Sequence, residues 1–269
     1  MSTPPQTQGR VTVRTLRTMR HDQQPITMLT AYDFPTAEIL DAAGVDVLLV
    51  GDSLGMVVAG HPDTLSVTVE QMIYHGEMVA RAARRAMVVI DLPFPEGSRR
   101  PQRTLDVAAK ILKATSAQAV KLEGGVEQAE RIACLVGAGI PVMGHIGLQP
   151  QSVHVDGGYG VKRDVDAIVA DAEAIEQAGA FAIVIECVSR EIGRAVTGAL
   201  TVPTIGIGAG PDVSGQVLVT HDLIGLYGGH RAKFVRRLAD VRGEMRRAAE
   251  EFVGAVQSRD YPNDGESFR

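Results

Sequence analysis

With 269 residues, 45% hydrophobic and 22% charged, the chain has the composition of a globular protein able to bury a sizeable core, which excludes wholesale disorder, collagen and coiled coil. Its 27 basic and 32 acidic residues give a net charge of -5, without the basic excess that a nucleic-acid surface needs, so no nucleic-acid partner is expected. No run of roughly 18 apolar residues could span a bilayer and nothing resembles a secretory signal; Cys134 and Cys187 form no CxxC or metal-binding spacing, so the expectation is a cytoplasmic protein with reduced thiols and no membrane partner.

In chain order, residues 1–10 are polar, carry Pro4, Pro5 and Gly9, and suit a frayed end. Short apolar runs follow at 26–32, 45–51, 87–94, 119–123, 140–146, 180–187, 202–207 and, more weakly, 216–220. Several are continuously apolar rather than alternating, which marks parallel strands covered on both faces. Between most of them lie stretches with helical periodicity, at 36–43, 69–84, 105–114, 126–136, 165–178 and 190–200. Three of these run into an Ala-Gly-apolar turn, at Gly44, Gly139 and Gly179, the expected helix-to-strand connection. Eight such units in about 230 residues, with no Pro/Ser-rich linker, predict one α/β domain over residues 1–269, a (β/α)8 TIM barrel. An open doubly wound sheet is the runner-up, but the GxGxxG fingerprint is missing after the first strand. A long C-terminal helix is expected at about 231–257, where Phe234, Leu238, Val241, Met245, Ala248 and Phe252 form one apolar stripe. That stripe could pack on the barrel itself or on a neighbouring subunit.

A barrel of this type carries its chemistry at the C-terminal ends of its strands. There the chain places Tyr32, Asp52 with Ser53, Asp91, Lys121 with Glu123, His145 and Glu186. An unpaired carboxylate in such apolar runs costs several kcal/mol, so these groups must be paired, hydrogen-bonded or metal-bound. Asp52, Asp91 and Glu123, from adjacent strands, would suit Mg2+; a carboxylate ring neutralised by Lys121 and loop arginines is the alternative. His145 could be a ligand, a donor to a substrate oxygen or a packed core histidine. Glu186 closes the run FAIVIEC with no basic residue within three positions, which suits a desolvated general base; it could instead cap the following helix. The loop from Gly206 to Gly210 could present backbone amides to an anion or be a tight turn.

Longer strings of residues say more. GDSLGMVV at Gly51, IDLPF at Ile90, VKLEGG at Val120, GHIGLQPQSVHVDGGYGV at Gly144, IECV at Ile185 and PTIGIGAGPDVSGQVLVTHDLIGL at Pro203 stand in one order along the chain. Over about residues 11–268 the chain resembles the 3-methyl-2-oxobutanoate hydroxymethyltransferase (ketopantoate hydroxymethyltransferase) family. The resemblance implies a barrel of the phosphoenolpyruvate/pyruvate type. It also implies transfer of a one-carbon unit from the co-substrate 5,10-methylenetetrahydrofolate to 3-methyl-2-oxobutanoate, giving 2-dehydropantoate and tetrahydrofolate on the pantothenate route to coenzyme A. It assigns Asp52, Asp91 and Glu123 to one Mg2+ per subunit, directly or through water. Asp52, Ser53, Asp91 and Lys121 fall to the substrate, Glu186 to the proton acceptor, and Tyr32 and His145 to further pocket positions. A homo-oligomer, commonly a decamer of two pentameric rings, is implied as well.

Two rival readings differ in what they require. Another Mg2+-dependent lyase or mutase acting on 2-oxo acids would want a reactive cysteine in a loop after a middle strand. A non-catalytic ligand-binding barrel would show a broken set of carboxylates, whereas Asp52, Asp91, Glu123, Lys121 and Glu186 are all present.

Overall fold

The structure is a computed structural model, which describes residues 9–229 and 231–268. Of the segment expected to fray, only Gly9 and Arg10 are among the described residues, and both are exposed.

Each apolar run becomes a strand, most of them with bounds moved by one to three residues and 119–123 unchanged. In chain order the elements are α1 (Val13–His21), β1 (Ile26–Thr30), α2 (Phe34–Ala42), β2 (Val47–Val50), α3 (Leu54–Val57), α4 (Val69–Ala82), β3 (Met87–Asp91), α5 (Pro101–Thr115) and β4 (Ala119–Glu123). Next come α6 (Ala129–Gly137), β5 (Val142–Gly147), α7 (Val153–Asp156), α8 (Val165–Gln177), β6 (Ala182–Glu186), α9 (Arg190–Ala199), β7 (Thr204–Ile207), β8 (Gly215–Leu218), α10 (Thr220–Leu223) and α11 (Val241–Ser258). The strands close into a barrel in sequence order, every pair parallel, with β8 returning to β1 through Met28↔Val217. That closure excludes the open sheet.

Local signals start the helices. Asp33, Thr68, Asp164 and Ser189 cap α2, α4, α8 and α9 with their side chains, and Pro101 occupies the first turn of α5. Gly44, Gly139 and Gly179 take φ of 89°, 85° and 103° as the expected turns require.

Three features depart from expectation. Helix α1 precedes the barrel, where no element was predicted, its start set by a capping box between Thr12 and Thr15. The β7–β8 connection, residues 208–214, contains no helix. The C-terminal helix begins at Val241 rather than near 231, because Asp240 caps it by accepting from Gly243 N; Phe234 and Leu238 therefore lie outside it, and the continuous stripe is broken.

The described chain forms two compact units, one ending at Leu218 and the other running from Val219. The first holds the barrel and has a core in two shells. Strand alternation sends Val47, Leu49, Met87, Val89, Met143 and Val184 inward, where they pack with Met28, Ile205 and Val217 and with Val11 and Leu16 of the N-terminal segment. Their neighbours Leu48, Val50, Val88, Ile90, Val120 and Leu122 point outward to the helices. In the second unit, α11 is an exposed helix laced by Arg247 to Glu244 and Glu251, 2.6 and 2.7 Å, with Met245, Phe252 and Val256 also exposed.

Candidate active site

The parity that fills the barrel also loads its mouth. Met87 and Val89 face inward, so Asp91, two residues on, faces the same lumen at the strand's end. By the same count Ala119 leads to Lys121 and Glu123, Met143 to His145, and Val184 to Glu186. Asp52 and Ser53 sit just beyond β2, after Gly51. A Cβ at Gly51 would come within 2.7 Å of Ser53 Oγ and 3.4 Å of Asp91 Oδ2, so the missing side chain lets β2 and β3 bring these groups together.

The cluster is buried and dense. Asp52 N donates to Asp91 Oδ2 at 3.2 Å, and Lys121 Nζ lies 2.9 Å from Asp91 Oδ1, 3.0 Å from His145 Nδ1 and 4.0 Å from Glu123 Oε1. Tyr32 OH and Ser53 Oγ share a hydrogen bond of 2.8 Å. Every predicted residue therefore meets in one place: Asp52, Asp91, Lys121 and His145 are each at most 4% exposed.

Charge in so little water shows in the proton affinities. Burial pushes the Asp52 carboxyl well up, reinforced by Asp91 and Glu123, with Lys121 and Gln151 pulling the other way. Burial also raises Asp91, against the opposing charge of Lys121. For Lys121, burial works against the ammonium, but Asp91, Glu123 and Asp52 more than offset it and hold the group above the ordinary lysine range. Glu123 ends lower than an ordinary glutamate, its burial outweighed by His145 and Lys121 and by the Gln151 amide. The lysine is thus a fixed cation, while two carboxylates lie too close together to ionise comfortably.

A divalent cation would relieve that crowding. Among the described residues no three or more His, Cys, Asp or Glu side chains form a group able to hold a metal ion by themselves. Mg2+ does not need such a cage, because it keeps several waters and commonly uses one or two carboxylates. Asp52 and Asp91 offer hard carboxylate oxygens close enough to repel one another, which fits it. Glu123 is differently engaged: Oε2 accepts from Gln151 N at 3.0 Å, and Oε1 faces His145 Nδ1 at 3.5 Å.

Glu186 has a basic partner that its sequence neighbours could not reveal. His145 Nε2 lies 3.1 Å from Glu186 Oε2, and the Glu186 side chain is 18% exposed, less sealed than an apolar strand end suggested. In the β5–β6 register Glu186 stands opposite Gly147. Having no side chain there leaves the His145 ring, two residues back on the same face, free to reach across. Gly147 has φ +88°, and a Cβ on it would collide with the Glu186 carbonyl oxygen. Glu186 does not cap α9; Ser189 does, accepting from Ile192 N.

The glycine loop after β7 resolves as a tight packed turn. A Cβ on Gly210 would meet Arg190, and one on Gly193 would meet the Ala209 carbonyl, so loop and α9 are in close contact. Cys134 lies on α6, and the Cys187 thiol is pushed up to about 12 by burial and by Glu186, opposite to a reactive thiolate. A separate cleft between the N-terminal ends of α4 and α5 contains none of these residues. One member of the cluster was not singled out from sequence: Gln151, whose side chain bonds Asp52. It stood inside the quoted string GHIGLQPQSVHVDGGYGV, but a neutral amide in a loop carries no chemical signal of its own.

Fold and site together define a closed parallel (β/α)8-barrel protein with a buried charged cluster at the C-terminal mouth of its strands. Solved 2,3-dimethylmalate lyase, described as a member of the PEP mutase/isocitrate lyase superfamily, superposes with a TM-score of 0.60, covering 95% of this chain and 91% of that one at 17% identity, a likeness of fold alone. The sequence model of ketopantoate hydroxymethyltransferase matches residues 10–264. The chain is 60% identical over 260 residues to 3-methyl-2-oxobutanoate hydroxymethyltransferase of Rhodopirellula baltica, covering 97% of each. With the enzyme of the same name from Carboxydothermus hydrogenoformans it shares 48% over 263 residues, 96% of this chain and 95% of that one. The chain belongs to the ketopantoate hydroxymethyltransferase family, and it is an enzyme, a transferase.

Proposed function

We propose that this enzyme moves a one-carbon unit from 5,10-methylenetetrahydrofolate to C3 of 3-methyl-2-oxobutanoate, giving 2-dehydropantoate and tetrahydrofolate in pantothenate biosynthesis, with Mg2+ as its metal. The observation that carries this is the meeting of a fixed cation, Lys121, two crowded carboxylates, Asp52 and Asp91, and a carboxylate base, Glu186, at one barrel mouth. Asp52 and Asp91 would hold Mg2+, with Glu123 acting through water, and the bound ion would supply a Lewis acid for the C2 ketone.

The chain's own groups do the rest. Lys121, kept charged by Asp91, holds the substrate carboxylate and steadies negative charge on the oxygen at C2. Ser53, oriented by Tyr32, offers a hydroxyl to the same substrate. Glu186 takes the C3 proton, and C3 then bonds to the carbon delivered by the folate. Both bonds from that carbon to folate nitrogens break; water provides the hydroxyl, and the two nitrogens take the proton removed from C3 and the remaining proton of water. His145, 3.1 Å away, holds the Glu186 carboxylate in place. The packed barrel interior excludes water from the floor of the site.

Among the described residues no helix is long and apolar enough to cross a membrane. A cytoplasmic homo-oligomer, a decamer, completes the reading, and light scattering measures it. The central experiment follows proton exchange at C3 of 3-methyl-2-oxobutanoate in deuterated water, without folate. Exchange that needs Mg2+ supports the proposal; none under any condition overturns it.

A further inference from the structure

We infer that Gln151 is a positioning residue of this site, fixing Asp52 and Glu123 for the metal and the ketoacid; the inference rests on the function proposed above. Gln151 lies in the short turn Pro150–Ser152 that follows β5. From there its backbone N–H donates to Glu123 Oε2 at 3.0 Å. Its side-chain Nε2 donates to Asp52 Oδ2 and to the Leu92 carbonyl oxygen, both at 2.9 Å. One residue therefore ties together the chain just beyond β2, just beyond β3 and at the end of β4.

The amide's orientation is not in question. The Leu92 carbonyl oxygen can only accept, so the amide cannot be reversed without setting oxygen against oxygen. The choice of an amide has a chemical sense. A lysine or arginine in that place would hold Asp52 equally well but cancel its charge. A neutral donor fixes the carboxylate and leaves its negative charge to a cation. The main-chain bond does the same for Glu123 and does not depend on the side chain. Purely structural glutamines brace backbone or helix ends, whereas two of the three acceptors here are carboxylates of the site itself.

Gln151→Met keeps the length of the side chain and removes its donors; Gln151→Glu sets a carboxylate against Asp52 and the Leu92 oxygen. Each is compared with the unaltered protein by calorimetric titration with Mg2+ alone, by the kcat and KM of C3 exchange, and by thermal melting. Gln151→Met should bind Mg2+ about tenfold more weakly, the effect of losing one hydrogen bond to a charged group. It should raise the Mg2+ concentration needed for exchange, melt within a few degrees of the parent, and be exceeded in loss by Gln151→Glu. Parental Mg2+ affinity and exchange in Gln151→Met would overturn the inference, as would losses matching only a fall in folded protein. Should Gln151→Met not fold, Gln151→Ala is measured in its place with the same outcomes. If the unaltered protein binds Mg2+ but exchanges no proton, the proposed reaction falls, and the titrations still decide the role of Gln151.

Discussion

His145 Nε2 stands 3.1 Å from Glu186 Oε2, on the diagonal that Gly147 leaves open between β5 and β6. The contact makes Glu186 an oriented carboxylate at the rim of the barrel. Gln in its place keeps the shape and removes the basicity. Glu186→Gln should still bind 3-methyl-2-oxobutanoate and lose C3 proton exchange by about 10²–10⁴-fold, the usual worth of a positioned base. Proton NMR in deuterated water reads this directly, and exchange at the parental rate in Glu186→Gln would remove Glu186 from the role.

The same contact bears on stability. Burial and Lys121 both lower the affinity of His145 for a proton, but its bonds to Glu123 and Glu186 prevail and bring it from 6.5 up to about 9. A group raised in the folded state contributes stability that is complete below its unfolded pKa, near 6.5, and is lost as pH rises through about 9. The difference in melting temperature between the parent and His145→Gln should therefore be largest near pH 6 and shrink toward pH 9.5 in metal-free buffer. A difference that grows with pH would contradict a protonated His145.

Lys121 lies 2.9 Å from Asp91 and is the leading opposing charge on both Asp91 and Asp52. Lys121→Met should cost about 3–5 kcal/mol in urea unfolding, the penalty for leaving a buried charge without its partner. Added Mg2+ should restore part of the loss, if the ion occupies the same negative site. A Lys121→Met protein as stable as the parent would mean that the carboxylates are not ionised.

Two glycines separate strain from collision. Gly157 has φ +71° with open space around its Cβ position, so Gly157→Ala should cost only about 1–2 kcal/mol. Gly147 has φ +88° and the Glu186 carbonyl in the way, so Gly147→Ala should cost about 3 kcal/mol or more and reduce C3 exchange in the protein that remains folded. Chemical denaturation of both variants side by side checks the order.

Tyr32→Phe removes the 2.8 Å hydrogen bond to Ser53 and the hydroxyl's bond with Thr30. The KM for the ketoacid should rise severalfold with kcat nearly unchanged, since one neutral hydrogen bond is worth about 1 kcal/mol. A fall in kcat alone would place Tyr32 in the chemistry.

The barrel and most of its mouth were legible because both depend on local pattern. Continuous apolar runs such as VDVLLVG mark strands covered on both sides, and the polar residue ending each run marks the face where chemistry collects. What stayed hidden depends on lateral relations between strands. Glu186 was read as lacking a basic partner because His145 is distant in sequence, and only the β5–β6 register brings the two together. Gln151 escaped for a related reason: its importance lies in three acceptors from three other segments. The helix-free β7–β8 connection and the late start of α11 turn on single capping and turn geometries that apolar spacing does not report.

Methionines and valines fill the barrel beneath the charged cluster, with Val11 and Leu16 beyond them, so the lumen is a blind well rather than a tunnel. A molecule resting on Lys121 has a single way out, and a second reactant seated above it blocks that way. On the function proposed above, arrival and departure should run in reverse order, the keto acid entering first and the enlarged acid leaving last, an order that product-inhibition kinetics reads.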